Sequence, residues 1–204
     1  MSFFSFFFPE RCRGCTKRGT ALCARCILRI PLATDLPEGT FAVFDYGHHL
    51  VRWSVRDLKY HRKSESMHAL ARAAIPHIKN YLGSTDPLFL VPIPSHNTKK
   101  RARGFNQSEL IARWWQTEIP TSTIAHVLHK VVFTSPQAHL RRHERLTNLA
   151  GTMRADRLDP EYIYVVVDDV STTGATFLEA RRALGEAGAK QIFCIALAHG
   201  YAKK

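Results

Sequence analysis

No apolar run in this sequence approaches the ~20 residues that a membrane-crossing helix needs, so no transmembrane span is expected. The apolar opening MSFFSFFFP is short. It has no basic stretch before it and no small-residue cleavage site behind it, which argues against a secretory signal. Such a segment suits folding back on the body, and it also suits shallow contact with a membrane surface. No internal repeat is visible. No Gly-Lys-Ser/Thr ending occurs, so a Walker A phosphate loop is excluded. Acids are scarce: 17 Asp and Glu face 29 Lys and Arg, for a formal charge of +12 and a pI near 9.8. That excess attracts polyanions, whether nucleic acid, an anionic membrane or a pyrophosphate ligand. Cysteines number only five. With 204 residues and 45% hydrophobic content, the chain has room for one sizeable core and a small appendage, and it is not disordered.

Four of the cysteines stand together as Cys12-x-x-Cys15 and Cys23-x-x-Cys26, with Gly14 and Gly19 at the turns. A cytoplasmic, reducing setting follows from the missing signal, so disulfides are not expected. Two CxxC knuckles suit a tetrahedral structural Zn2+. A closed four-thiolate site leaves no open position for substrate. Its work would be holding the N-terminus, docking a partner or touching nucleic acid. Cys194, in the apolar run 191–197, reads as a small core residue.

The chain's most informative stretch is Tyr162 to Thr176, YIYVVVDDVSTTGAT. Ile163–Val167 is an unbroken apolar run rich in β-branched residues, the pattern of a parallel strand buried on both faces. Asp168 and Asp169 follow, then Val170 and the loop Ser171, Thr172, Thr173, Gly174, Ala175, Thr176. A helix with an apolar stripe begins at Phe177. Strand, tight loop and helix start gather free backbone N–H groups at the positive end of a helix dipole. The hydroxyls add donors, and Gly174 permits close approach. That is a cradle for a monophosphate. Acids beside a phosphate repel it unless they hold something else, such as sugar hydroxyls or Mg2+. A pentose phosphate with a metal satisfies both halves.

Elsewhere the chain alternates strands and helices, which predicts an α/β fold. Pro31–Gly39 reads as a linker and places a boundary between residues 1–38 and 39–204. Strands are predicted at 41–46, 89–94, 126–133 and 191–197, with a short one at 151–155. Helices are predicted from Leu50, over 67–81 and from Asn106 through Trp115. Arg52, Trp53, Arg56, Lys59, Tyr60, Arg62 and Lys63 mix cations with aromatics and could bind single-stranded nucleic acid by charge and stacking. The same residues also suit a helix whose inner face carries Trp53 and Leu58. Two basic segments are candidates for pyrophosphate: Lys99, Arg101 and Arg103 after the second strand, and Arg141 and Arg145 in a long polar stretch that suits a lid.

The segment VVVDDVSTTGAT resembles the 5-phosphoribosyl-1-pyrophosphate (PRPP) motif of type I phosphoribosyltransferases. The resemblance implies that Asp168 and Asp169 hold ribose while Ser171 through Thr176 hold the 5-phosphate. The wider sequence is similar to the ComF/ComFC competence family. It shares the paired CxxC head, Tyr46-x(12)-Lys59-Tyr60, VPIP, Arg103-Gly104-Phe105-Asn106-Gln107, and Gln137, Glu144, Arg145 and Asn148 before the acids. Lys130 stands where many relatives carry arginine. The resemblance implies a phosphoribosyltransferase-like, mostly parallel sheet flanked by helices, behind a small N-terminal zinc-binding module. It also implies natural transformation: PRPP binding, and handling of incoming single-stranded DNA alongside a helicase and other competence proteins.

Phosphoribosyl transfer needs cations and Mg2+ on the leaving pyrophosphate and carboxylates near the ribose, with no strong protein nucleophile. Those elements are present in the sequence. An acceptor pocket is not recognisable, since nothing after Ala196 resembles a nucleobase-reading hood. PRPP binding is therefore the first expectation, and a nucleotide-salvage phosphoribosyltransferase is the alternative.

Overall fold

The apolar runs become strands because both faces of the sheet are covered. In a computed structural model, which describes residues 10–83, 87–95, 104–131 and 151–200, the strands are β1 (Phe41–Asp45), β2 (Leu88–Pro92), β3 (Ser122–Ile124), β4 (Leu128–Lys130), β5 (Met153–Ala155), β6 (Ile163–Ser171) and β7 (Gln191–His199). The helices are α1 (Ala24–Ile27), α2 (His49–Arg56), α3 (Glu65–Leu82), α4 (Gln107–Glu118) and α5 (Ala175–Glu186). Five strands pair in the order β1-β7-β6-β2-β3, every neighbour parallel. The fold is α/β, with a cysteine cluster at its N-terminal end.

Strand alternation divides β6 between two cores. Val165 and Val167 face the side covered by α3 and α4, with Leu70, Ile78, Ile111 and Trp115. Tyr164 and Val166 face α5, with Phe177, Ala180 and Leu184. Ile195 and Leu197 on β7 join the first core, and Cys194 and Ala196 the second. The cysteine head shares the first core, because Cys12, Leu22, Ile27 and Ile30 lie in one buried cluster with Leu50 and Leu70. Within the predicted linker, Leu32 bridges Phe44 in antiparallel fashion. The Ala33 N–H donates to the Val43 carbonyl at 3.0 Å, covering the open edge of β1.

Three elements differ from the sequence expectation. The central strand does not stop at Val167. It runs to Ser171, and its ladder with β7 still pairs Asp168 with Ala196 and Ser171 with His199. The strand beside β2 is Ser122–Ile124, three residues too short to show a pattern. The run predicted at 126–133 holds β4 instead, which pairs antiparallel with β5 away from the main sheet. Glu179 fixes that small ribbon. This buried carboxylate accepts from the Met153 N–H at 2.8 Å and from Arg182, which in turn donates to the Met153 carbonyl.

Chain order sets where a ligand can enter. From β2 the chain crosses through α4 on one face to β3, whereas from β6 it crosses through α5 on the other face to β7. The helices that follow β2 and β6 therefore lie on opposite faces of the sheet, which leaves a crevice at the carboxyl ends of these two neighbouring strands. That is the topological switch point where open parallel sheets bind ligands.

Candidate functional site

Asp168 and Asp169 occupy one side of that crevice, and their side chains meet different partners. Asp168 Oδ1 accepts from the Ser108 hydroxyl and from the Asp169 N–H, each at 2.8 Å. Asp169 Oδ1 accepts from the Val170 N–H at 2.9 Å, and its Oδ2 lies 2.6 Å from Lys59 Nζ. Three segments distant in sequence thus meet at two adjacent acids.

Local structure explains each arrival. Asn106 caps α4 by accepting from the Ser108 N–H at 3.3 Å, and its amide donates to the Ile93 carbonyl at 2.9 Å. This ties the start of α4 to the end of β2 and aims the buried Ser108 at Asp168. Lys59 arrives through a wider turn. After α2 the helix opens into a π turn over Asp57–His61, closed by Arg62 in a left-handed conformation (φ 55°). A π turn inserts one residue and rotates the chain beyond it, and such turns collect at functional sites. Leu58 anchors it in the core.

Burial, and next to it the charge of Asp169, pushes the Asp168 carboxyl up to about 7. Burial by itself would lower the Lys59 ammonium. Asp169 and Asp168 outweigh it and hold Lys59 above its ordinary value.

Beyond the acids, Gly174 turns the chain with φ 75°. A Cβ there would lie 2.8 Å from the Pro37 side chain, so Pro31–Gly39 buttresses the loop from behind. Of the first-turn amides of α5, the Leu178 N–H donates to the Gly174 carbonyl at 2.9 Å and the Ala175 N–H to the Thr173 hydroxyl at 3.4 Å, while helix geometry gives the Thr176 and Phe177 N–H groups no acceptor within the helix. The buried Ser171 hydroxyl has no hydrogen-bond partner among the described residues. Ser171 to Phe177, with Asp168 and Val170, line a recess of about 40 Å³. That is room for one tetrahedral oxyanion or for about three waters, at 10–15 Å³ each. A larger cavity of about 590 Å³ opens on the far side of the loop, between Pro37–Thr40 and α5.

A second centre forms at the head. The four sulfurs of Cys12, Cys15, Cys23 and Cys26 lie within 4.8 Å of one another, with Cys15 and Cys23 at 3.6 Å. Four thiolates about 2.3 Å from one tetrahedral ion stand roughly 3.8 Å apart, so the cluster can hold a metal ion. A Cβ on Gly14 would come within 2.7 Å of Cys26 Sγ, which explains the glycine in the first knuckle. Burial raises the Cys12 thiol, but the backbone N–H groups of Cys23, Gly14 and Cys15 outweigh it and bring Cys12 down to about 6. Burial and the neighbouring thiols push Cys26 up to about 12. The thiols interact, so ionising all four together calls for a cation among them.

Relatives match most of the chain's length. The DNA utilization protein YhgH of Salmonella typhi is 32% identical over 182 residues, covering 85% of this chain and 76% of its own. The protein of that name from Escherichia coli K12 is 31% identical over 186 residues, with the same coverage. The chain belongs to the ComF/ComFC competence family. Competence protein F of Haemophilus influenzae is 27% identical over 109 residues, 52% of this chain. No family model matches the chain.

In this ComF-family chain the acids and Ser171–Thr176 lie together at the crevice, and the four cysteines lie together at the head. Of the basic–aromatic stripe, Arg52, Arg56, Tyr60, Arg62 and Lys63 are exposed, and Tyr60 keeps 70% of its surface. Trp53 is half-buried beneath Arg13, whose guanidinium carbon lies 5.1 Å from the ring centroid. Lys59 turns inward to Asp169. The pyrophosphate candidates Lys99, Arg101, Arg103, Arg141 and Arg145 lie outside the described residues. Sequence reasoning missed Ser108. Its signal was the Asn cap two residues earlier, at the carboxyl side of a buried strand. It also missed the acid-pair contact of Lys59, because a π turn breaks the helical period that would have pointed to it.

Proposed function

We propose that this chain binds PRPP in the β2–β6 crevice and handles single-stranded DNA in competence-related uptake. The observation that carries the reading is the buried Ser171 hydroxyl, unpartnered among the described residues, on a residue that lines a small recess next to an acid pair. The recess takes the 5-phosphate, and the acids take the ribose hydroxyls. Mg2+, when bound, neutralises the pyrophosphate. The cysteine head, within residues 1–38, holds Zn2+ as a structural module beside the ligand-binding domain. The names of the relatives, DNA utilization protein and competence protein, support the DNA role. The net charge of +12 and the exposed stripe supply its electrostatics. We place the protein in the cytoplasm, at the inner face of the membrane during uptake. Among the described residues, no helix is long and apolar enough to cross a membrane.

Calorimetric titration of PRPP with Mg2+ into the full chain tests the reading. Binding is expected in the unaltered chain, with at least a tenfold loss in the Asp168→Asn/Asp169→Asn variant. Equal affinity in both would overturn the site. Pyrophosphate release with a panel of free bases would move the assignment to a salvage phosphoribosyltransferase.

A further inference from the structure

We propose that Lys59 is the resident cation of the acid pair, so that a divalent ion is admitted to the site only with the ligand's own phosphates. The ligand in this statement rests on the sugar-phosphate reading above. The lysine–carboxylate contact does not.

The carboxylate oxygens are largely committed. Asp168 Oδ1 carries two donors, Asp169 Oδ1 carries the Val170 N–H, and Asp169 Oδ2 carries Lys59 Nζ at 2.6 Å. Mg2+ demands oxygens at about 2.0–2.1 Å in near-octahedral geometry. An ammonium already seated on Asp169 Oδ2 blocks that oxygen by space and repels the ion by charge. The lysine is no stray surface cation. Its side chain keeps only 24% of its surface, and that of Asp169 keeps 12%. The π turn and the buried Leu58 fix its stem.

The charge balance points the same way. Two carboxylates beside a phosphate recess present two negative charges to a dianion. With Lys59 in place the net is a single charge. An ammonium has three donors, and among the described residues Asp169 Oδ2 engages one, which leaves two N–H groups for oxygens of an incoming sugar phosphate. Lys59 therefore does for the empty site what a metal would otherwise have to do, and it makes metal-free binding of a sugar monophosphate feasible. It is a positioning residue for the acids and a direct partner for the ligand.

The test uses the full-length, zinc-loaded protein and Mn2+ alone as probe, read by the paramagnetic resonance signal of free Mn2+. The unaltered chain and Lys59→Arg are expected to bind Mn2+ weakly, with no change on Asp169→Asn. Lys59→Met is expected to bind Mn2+ at least tenfold more tightly, and adding Asp169→Asn is expected to abolish the gain. One unit charge at contact range in a partly buried site is worth that factor. In EDTA, ribose 5-phosphate is expected to bind the unaltered chain about tenfold more tightly than Lys59→Met, with Lys59→Arg between them. A Lys59→Met protein with normal zinc content and melting, but no tighter Mn2+ binding, overturns the proposal. So does Mn2+ binding in the unaltered chain that Asp169→Asn weakens tenfold, a result that needs no folded lysine variant. The Mn2+ arms contain no sugar phosphate. Failure of PRPP to bind would therefore count against the proposed function and leave these arms to decide the role of Lys59.

Discussion

Asp168→Asn should make the protein more stable while removing its proposed ligand. The carboxyl moves from an ordinary 3.8 to about 7 in the folded chain. At 1.36 kcal/mol per unit, keeping it ionised costs at most about 4 kcal/mol above neutrality. Solvent reaches part of Asp168, so roughly half of that, about 2 kcal/mol, is expected. Asparagine fits the site. Both existing donors, the Ser108 hydroxyl and the Asp169 N–H, go to Oδ1, which asparagine retains. Its Nδ2 replaces the other oxygen and removes the charge facing Asp169. The pH dependence has a definite sign. A raised carboxyl pKa means that the folded chain binds more protons than the unfolded chain between about pH 4 and 7. The unaltered protein therefore loses this contribution as pH rises through that window, and the variant does not. The gain should be about a third of its full value at pH 5 and full by pH 8. For a chain of this size, 2 kcal/mol shifts Tm by about 4–8 °C. Thermal melts at pH 5, 6.5 and 8 read it directly, with the zinc site common to both proteins. A variant that melts at or below the unaltered chain at pH 8, or whose gain is the same at every pH, refutes the idea that Asp168 is held ionised at a cost to the fold.

Other perturbations address the remaining parts. Cys12→Ser with Cys15→Ser should lower bound zinc from about one per chain to near zero and reduce Tm, because Leu22, Ile27 and Ile30 lose their frame; metal analysis showing no zinc in the unaltered protein would end the zinc assignment. Gly174→Ala puts a Cβ at a φ of 75° and 2.8 Å from Pro37. Backbone strain of about 1–2 kcal/mol plus that contact should lower Tm by several degrees and weaken PRPP binding, and an unchanged melt would show that the loop is not braced there. Replacing Arg52, Arg56, Arg62 and Lys63 together should flatten the salt dependence of single-strand binding by about 3 in log–log slope, near 0.7 per phosphate contact. A slope equal to that of the unaltered chain would move the DNA interface off the stripe.

Much of the fold and of the site was legible from the residues, and the parts that were not share a cause. Val165–Val167 announces a strand buried on both faces, because no other short segment tolerates unbroken β-branched residues. Four cysteines in two CxxC pairs announce their own proximity. The end of β6 is not announced. Asp168 and Asp169 look like loop residues, yet β7 offers a nine-residue partner and the ladder continues through them. Ser122–Ile124 is a strand only because β2 lies beside it. Lys59 reads as one more cation in a basic helix until a π turn rotates it. Local pattern reveals what burial alone decides, and it misses what a neighbouring element decides.

Several described residues scattered along the chain share one physical role. Trp53 and Lys59 sit six residues apart on one helical segment, the first beneath Arg13 of the cysteine head and the second on Asp169. Asn106 and Ser108 link the end of β2 to Asp168. Pro37 backs Gly174. Trp53, Lys59, Ser108 and Pro37 therefore contact the acid pair, its loop or the head, and Asn106 acts through Ser108, although they lie far apart in sequence. An acid pair in a half-buried crevice is unstable by itself, since two like charges at contact resist burial. Among the described residues, the chain resolves this with one lysine, one serine and two backbone amides, drawn from three separate segments. The lysine and the serine have little reason to be held there unless the carboxylates are kept for a ligand, because two apolar residues at 168 and 169 would pack the same crevice at lower cost.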